Sequence, residues 1–435
     1  MRISAMVVGA AAFFMLAGPV LVSDASADDR TTCAQGKGDE KAAACTRIIQ
    51  DRRATAKTRA IAHKNRGDTY FGEPRPQSEV AAYRERVIAD YSEAIRLDPE
   101  EAARSYFFDR ASAYVNNGDY DRAIADYSEV IRINPTSYSA DYSRAYAYNG
   151  RAWAYSNKGD YDRAIADFSE AIRLKPKLVV ALFYGRGEVF RKKNDFNRAI
   201  ADYSEAIRLD PKNDFLSDEV FVGRGDAYYN LKDYDRAIAD YNNAIRLVPY
   251  SNAVDGRRAA RLLKGDYESI IAEYSEIIRG QPRHAPAYLS RGIFQLYIGN
   301  PAKGLADISQ ATELKPKDAY NALWLDIVGR RNSVPSRLPQ AISQIDMTVW
   351  PAPVIRMFLG QLTSAAVFAA ADNPEPKKKN DQICEANYFS GELALRQGAK
   401  SEAIRLFRLA ARDCPHNFLE WYAANAELKA LGVMP

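Results

Sequence analysis

The sequence predicts an all-α fold, a superhelical solenoid of antiparallel helix pairs that ends in a modified helical C-terminal region. Three observations carry that prediction. The phrase Gly118-Asp119-Tyr120-Asp121-Arg122-Ala123-Ile124-Ala125-Asp126-Tyr127 recurs almost letter for letter from Gly159 to Phe168, and again around Asp195-Phe196, Asp233-Tyr234 and Asp266-Tyr267. Pro99, Pro135, Pro176, Pro211, Pro249, Pro282 and Pro316 close successive copies at steps of 33 to 41 residues, a period that marks stacked supersecondary units. Within a copy, Ala123, Tyr127 and Val130 stand at i, i+4 and i+7, one stripe of a helix.

Each unit reads as two helices. The first ends at a glycine such as Gly118, which accepts the left-handed backbone of a helix C-terminus, and Asp119 caps the next. Pro135 stops the second helix, because proline has no N–H to continue it. In the first helix a small residue is followed three places on by an aromatic: Gly67/Tyr70, Ala111/Tyr114, Ala152/Tyr155, Gly187/Phe190 and Gly225/Tyr228. With the closing proline, this pattern resembles the tetratricopeptide repeat (TPR) over most of the chain after residue 27. No single hairpin can bury its apolar face alone, so the units must stack and the ends need caps.

In chain order, residues 1–27 read as a secretory signal peptide: Arg2, an apolar run from Ala5 to Val22, then Ala25-Ser26-Ala27 before Asp28. The alternative is an uncleaved membrane anchor. Pro19 follows Leu16-Ala17-Gly18 where a lipidated cysteine would stand, so no lipid anchor is expected. Residues 28–56 are expected to form a half-repeat cap, with Cys45 where later units carry tyrosine. Seven units follow over 57–316. The first has an inserted loop, Glu73-Pro74-Arg75-Pro76, and the sixth is degenerate, with Arg261 in the aromatic position. Residues 317–383 lose the rhythm; Ala319 to Arg330 and Val354 to Ala371 read as helices, and Asn373 to Lys379 as an exposed loop. A final unit returns over 384–435, ending in a capping helix from Asn417 to Leu431. Cys33 and Cys45 lie close in sequence, and the last hairpin should bring Cys384 to Cys414. An even cysteine count in an exported chain favours two disulfides over four buried thiols.

The C-terminal part carries a second resemblance. Leu323-Trp324-Leu325, Val354 to Gly360, Ala386-Asn387-Tyr388-Phe389-Ser390-Gly391, His416 to Glu420, Glu427-Leu428 and Leu431-Gly432 together resemble NlpI-type proteins. These are TPR adaptors of the bacterial periplasm that hold peptidoglycan hydrolases and a processing protease together. That resemblance, to lipoproteins of the outer membrane, implies a periplasmic scaffold whose partners are envelope hydrolases, proteases or assembly factors; without a lipidation cysteine this chain is expected to be soluble. The missing lipidation cysteine and the longer repeat array are departures from it.

Sixty basic against 56 acidic residues leave a net charge of +4, which does not argue for nucleic acid. His63, His284 and His416 are far apart, and no spacing suits a metal. Cys414-Pro415-His416 could suggest an activated thiol, but a disulfide beside a histidine explains it better. Gly185-Arg186-Gly187 and Gly223-Arg224-Gly225 fit helix crossings rather than phosphate loops, and Arg-Gly-Asp at 66–68 and 224–226 falls inside helices. No catalytic residue, cofactor or metal is therefore expected. Arg66, Arg110, Arg151, Arg186, Arg224 and Arg291 share one repeat position and Asp90, Asp126, Asp167, Asp202, Asp240 and Asp307 another, which reads as structural pairing.

The TPR resemblance implies that first helices line a peptide-binding groove. Its positions become Phe108, Ser112 and Val115; Asn149, Trp153 and Ser156; Tyr184, Glu188, Arg191 and Lys192; and Val222, Asp226 and Tyr229. Aromatic anchors with mixed charge suit a protein partner; packing between repeats would claim some of the same rings. The chaperone-binding TPR clamp is disfavoured: Lys64 fits, but Asp68, Asp109, Tyr146 and Gly150 hold the other positions. Competing readings are a cell-wall glycan-binding protein or enzyme using an aromatic groove, and a tether that forms a homodimer through its C-terminal block.

Overall fold

The computed structural model describes residues 27–72, 80–101, 105–133, 138–174, 179–211, 218–249 and 252–433. The expected signal peptide up to Ser26, the insertion Glu73 to Pro76, and Pro135 and Pro176 lie outside the described residues. The fold is all-α, built of antiparallel helix pairs with a modified helical C-terminal region. It divides into two compact bodies, 1–194 and 195–435.

The first body opens with α1 (Ala27–Gln35) and α2 (Gly38–Gln50), followed by α3 (Ala56–Gly72) and α4 (Val80–Leu97). A single turn, α5 (Pro99–Glu101), leads to α6 (Phe107–Asn116), α7 (Tyr120–Ile133), α8 (Tyr138–Asn157), α9 (Tyr161–Arg173) and α10 (Val179–Lys192). The caps follow from sequence. Gly118 and Gly159 take φ of +76° and +81° between the helices of their units, where any side chain would be strained. Asp160 then accepts the Arg163 N–H at 3.3 Å, satisfying one of the free donors at the start of α9.

Two contacts hold the helices together. The first is the aromatic of each second helix. Tyr91, Tyr127 and Phe168 are buried, with Tyr91 against Gly67, Tyr127 against Gly150 and Phe168 against Gly185. A Cβ on Gly185 would sit 2.7 Å from the Phe168 ring. Gly67 belongs to the same unit as its ring, but Gly150 and Gly185 belong to the next. The aromatic thus joins consecutive units as well as the helices of one.

The second contact is the repeated arginine. Arg110 grips Asp126 with Nε and one Nη at 2.7 and 2.8 Å and donates its other Nη to Ser92 of the preceding unit at 3.1 Å. Arg151 repeats this on Asp167 (2.7 and 2.8 Å) and Ser128 (2.9 Å), and Arg66 on Asp90 (2.9 and 2.7 Å) and Thr46 (3.0 Å). The cap obeys the same register. Thr46 supplies the hydroxyl, and the preceding residue, Cys45, stands in the aromatic position and closes a buried disulfide with Cys33. The cap, expected as half a unit, is a complete short pair.

The second body contains α11 (Phe196–Leu209), α12 (Glu219–Asn230), α13 (Tyr234–Leu247), α14 (Ala253–Lys264), α15 (Tyr267–Gly280), α16 (Ala285–Tyr297) and α17 (Pro301–Leu314). Beyond these come α18 (Ala319–Arg331), α19 (Leu338–Ala341), α20 (Ala352–Phe358), α21 (Ser364–Ala370), α22 (Pro376–Arg396), α23 (Lys400–Asp413) and α24 (Leu419–Ala430). Arg224 pairs with Asp240 and Ser204, and Arg291 with Asp307 and Ser275, as in the first body. The Cys384–Cys414 disulfide ties α22 to the end of α23, and Gly391 meets the Phe407 ring where those helices cross.

Unit six breaks the pattern at the crossing position as well as at Arg261. Arg258 stands where the other units have glycine or alanine, and its guanidinium lies over the Tyr274 ring at 4.9 Å. The carboxylate of Glu273 takes Arg257, Arg258 and Arg261 at 3.1, 3.0 and 3.0 Å. These bulky side chains keep α14 and α15 from close contact. The C-terminal helix α24 packs against α14 and α16, with Tyr422 edge-on to Phe294 at 5.7 Å.

Two expectations are corrected. The helix read over Val354 to Ala371 is two, α20 and α21, interrupted by Gly360 at φ +75°. Lys377, Lys378 and Lys379 are exposed but helical, because Pro376 occupies the first turn of α22, where its missing N–H costs nothing.

The arginine pairs carry a stability prediction. Side-chain exposure is 18% for Arg110 and 7% for Asp126, so Arg110→Ala strands a desolvated carboxylate and should cost about 3–5 kcal/mol. The exposed Arg132→Ala should cost under about 0.5 kcal/mol. Replacing both partners, Arg110→Met with Asp126→Leu, should restore most of the loss. Urea unfolding of the three variants checks the ordering.

Candidate functional site

In the first body, α3, α6, α8 and α10 are the first helices of their units, and their side chains form one surface. At its start Lys64 holds Asp68 at 2.7 Å and Asp109 at 3.7 Å, while the Tyr91 hydroxyl donates to Asp68 at 2.9 Å. The lysine that fits the chaperone clamp is therefore already neutralised by two carboxylates. The Asp109 carboxyl is pushed up to about 6 by burial, against the pull of Lys64, with the Asp68 charge adding to the rise.

The residues expected to bind a peptide are placed as follows. Phe108 lies half-buried, edge-on to Tyr127 at 5.5 Å. Ser112 meets the Tyr127 hydroxyl at 3.1 Å, and Val115 packs on the same core. In α8, Asn149 and Trp153 are half-buried and Ser156 is buried. Trp153 stands edge-on to Phe168 at 5.5 Å, with the Lys192 ammonium 5.9 Å above its ring. Lys192 also reaches Ser156 at 3.4 Å. Tyr184 is half-buried, and Glu188 binds Arg191 at 2.8 Å. The structure thus joins Trp153, Ser156 and Lys192 into one cluster. Phe108 and Ser112 form another with Tyr127.

In the second body, Val222 packs in the core of unit five and Asp226 accepts the Tyr241 hydroxyl at 2.9 Å. Tyr229 stands edge-on to Tyr234 at 5.9 Å and 6.1 Å from the His416 ring. With Tyr234, Tyr267, Trp421, Lys232 and Lys429 it lines a cavity of about 600 Å³. The wall supplied by Trp421 and Lys429 was not legible in sequence, since nothing local to α24 says which helices it meets.

The histidines have structural posts. His63 meets Asp90 at 2.8 Å, His284 caps α16 at the Ala287 N–H (3.1 Å), and His416 lies 4.4 Å from the Trp421 ring. Burial lowers the His416 pKa and favours the neutral ring. The sulfur of Cys414 is in a disulfide, so it is no nucleophile. The two Gly-Arg-Gly segments lie within α10 and α12. Among the described residues no three or more His, Cys, Asp or Glu converge on a metal position, and no helix is long and apolar enough to cross a membrane.

The family described as tetratricopeptide repeat matches residues 88–138, 108–177 and 149–214 with one of its models and 219–251 with another. Residues 88–214 and 219–251 carry tetratricopeptide repeats. Similar solved structures include the MamA protein, at 19% identity over 43% of this chain and 90% of that one, TM-score 0.34. YrrB, a TPR protein with an unusual peptide-binding site, aligns at 21% identity over 54% and 95%, TM-score 0.30. PilF of Pseudomonas aeruginosa aligns at 16% over 53% and 98%, TM-score 0.35. TPR proteins are protein-interaction scaffolds that bind peptides and other proteins.

The raised Asp109 carboxyl gives a pH prediction for this TPR surface. A carboxyl held up at about 6 when folded, against 3.8 for the free group, binds its proton more tightly in the folded chain. Stability should therefore fall as pH rises from about 4 through 6. Asp109→Asn should remove that fall and stabilise at pH 7.5 by on the order of 1–2 kcal/mol, with little effect at pH 4. Urea midpoints at the two pH values decide it.

Proposed function

We propose that this chain is an exported, non-enzymatic adaptor that binds proteins of the bacterial envelope through the first helices of its repeats. The observation that carries the proposal is the surface of the first body. There half-buried Phe108 and Trp153 supply aromatic anchors, and Lys192 with the Glu188–Arg191 pair supplies polar ones. Anchors of that kind dominate protein interfaces. The two buried disulfides favour an oxidising compartment. The NlpI-type resemblance of residues 280–435 names the partner class: peptidoglycan hydrolases, an envelope protease or assembly factors.

A second reading, glycan binding, draws on the cavity lined by Tyr229, Tyr267 and Trp421, since aromatic faces stack on sugar rings. The two readings separate in one pair of experiments. Photo-crosslinkers at Phe108 and Trp153 should capture envelope proteins in cells, and Trp153→Ala should cut the yield at the Phe108 probe at least fivefold. Peptidoglycan fragments should leave Trp421 fluorescence unchanged. No captured protein, together with saturable quenching by the fragments, overturns the adaptor in favour of the glycan reading.

A further inference from the structure

A second cavity, of about 290 Å³, opens in the second body between the start of α16, the end of α17, α18, α22 and the start of α24. One wall is apolar, made by Leu289, Phe418 and Leu419. The lining also carries Glu385 and Glu420, which are 6% and 5% exposed. The Oε2 of Glu385 accepts from Tyr320 at 2.8 Å and from the Trp350 indole at 2.7 Å. No described residue donates to its Oε1. Glu420 has the Glu385 carboxyl, its own backbone N–H and the Trp324 indole as neighbours, and no cation. Trp324 lines the same cavity fully buried, and its indole N–H is turned towards the Glu420 carboxyl without completing a hydrogen bond to it.

The other charged groups do not cancel the two acids. Asp318, also in the lining, spends its carboxylate on the backbone N–H groups of Tyr320 and Asn321 at 3.0 and 3.2 Å. Asp381, one turn before Glu385 on α22, adds negative charge. Lys315 is exposed at the cavity and makes no ion pair among the described residues. A carboxylate taken out of water costs free energy unless it is paired. Here two acids line one open space, with no cation paired to either among the described residues.

The geometry points to a pocket for the basic side chain of a partner protein, a lysine or arginine whose cationic end meets Glu420 and Glu385 while its methylenes lie along Leu289, Phe418 and Leu419. Long basic side chains bury their stems on apolar surface in this way. The charge complementarity selects a cation, and the size admits one side chain. The inference stands independently of the first-helix surface of the first body, so either can fail alone.

Burial and the nearby Glu385 push the Glu420 carboxyl up, which favours its protonated form. A cation that meets it should therefore expel a proton.

Calorimetric titration of the full chain at pH 7 with Nα-acetyl-lysine amide and Nα-acetyl-arginine amide tests the proposal. Nα-acetyl-norleucine amide, N-acetylglucosamine and putrescine serve as comparisons. At least one basic amide should bind tenfold or more tighter than the norleucine amide. Running the titration in buffers of different ionisation enthalpy should show release of up to about one proton. Glu420→Gln, which mimics the neutral acid and should leave the melting temperature unchanged, should lose both the binding advantage and the proton. Equal binding of norleucine amide, no binding of either basic amide, or binding without proton release overturns the proposal. So does tighter binding of N-acetylglucosamine or putrescine, which would assign the pocket to a glycan or a free polyamine.

Discussion

The aspartates at the repeated position are shielded from water; Asp90, Asp126, Asp167 and Asp240 are between 3% and 6% exposed. A carboxylate so shielded needs donors, and for each of these one arginine on the first helix of its own unit supplies two. The planar guanidinium has a further donor on its far side, which reaches a hydroxyl of the preceding unit. Lysine could not make these bonds in one plane. The pairing within a unit is therefore completed by its neighbour, and the stack is the smallest structure in which this arginine and aspartate make all these bonds. The aromatic beside each aspartate adds the apolar counterpart, seated on glycine where Cβ would collide.

Unit six shows what happens when that constraint is relaxed. Arg258 takes the place of the small residue, Glu273 replaces aspartate, and three arginines share one carboxylate. The close crossing is lost. The second body also accepts a helix foreign to the repeat, α24, whose Tyr422 packs on Phe294 and whose Trp421 lines a cavity with Leu262 and Leu263 of α14. The degenerate unit is thus the place at which the array stops being a simple repeat and begins to enclose cavities.

The C-terminal region is held by a different economy. Trp324 stacks on Tyr388 at 5.3 Å and lies near Phe389. Among these rings Arg331 bridges Glu392 and Glu427 at 2.8 and 2.7 Å. Burial pushes Glu392 up to about 7 even against that arginine. Glu385 and Glu420 have no such cation, which separates a closed structural network from an open pocket on the same helices.

Sequence alone determined the helix pairs of units two to five, their caps, both disulfide partners and the structural role of the arginine and aspartate series. Each of these is a local or periodic property: a glycine at a helix end, an aspartate cap, a residue returning at a fixed interval. It also named the first-helix side chains, but not which of them would meet; Lys192 over Trp153 and Lys64 shared by Asp68 and Asp109 depend on neighbouring units. The break at Gly360, the docking of α24 and the cavities lined by α24 were decided only in three dimensions. Their walls join residues more than a hundred positions apart, such as Leu289 with Glu420 and Tyr229 with Trp421. No periodicity links such residues, because what brings them together is the packing of a non-repeating helix against a repeating one.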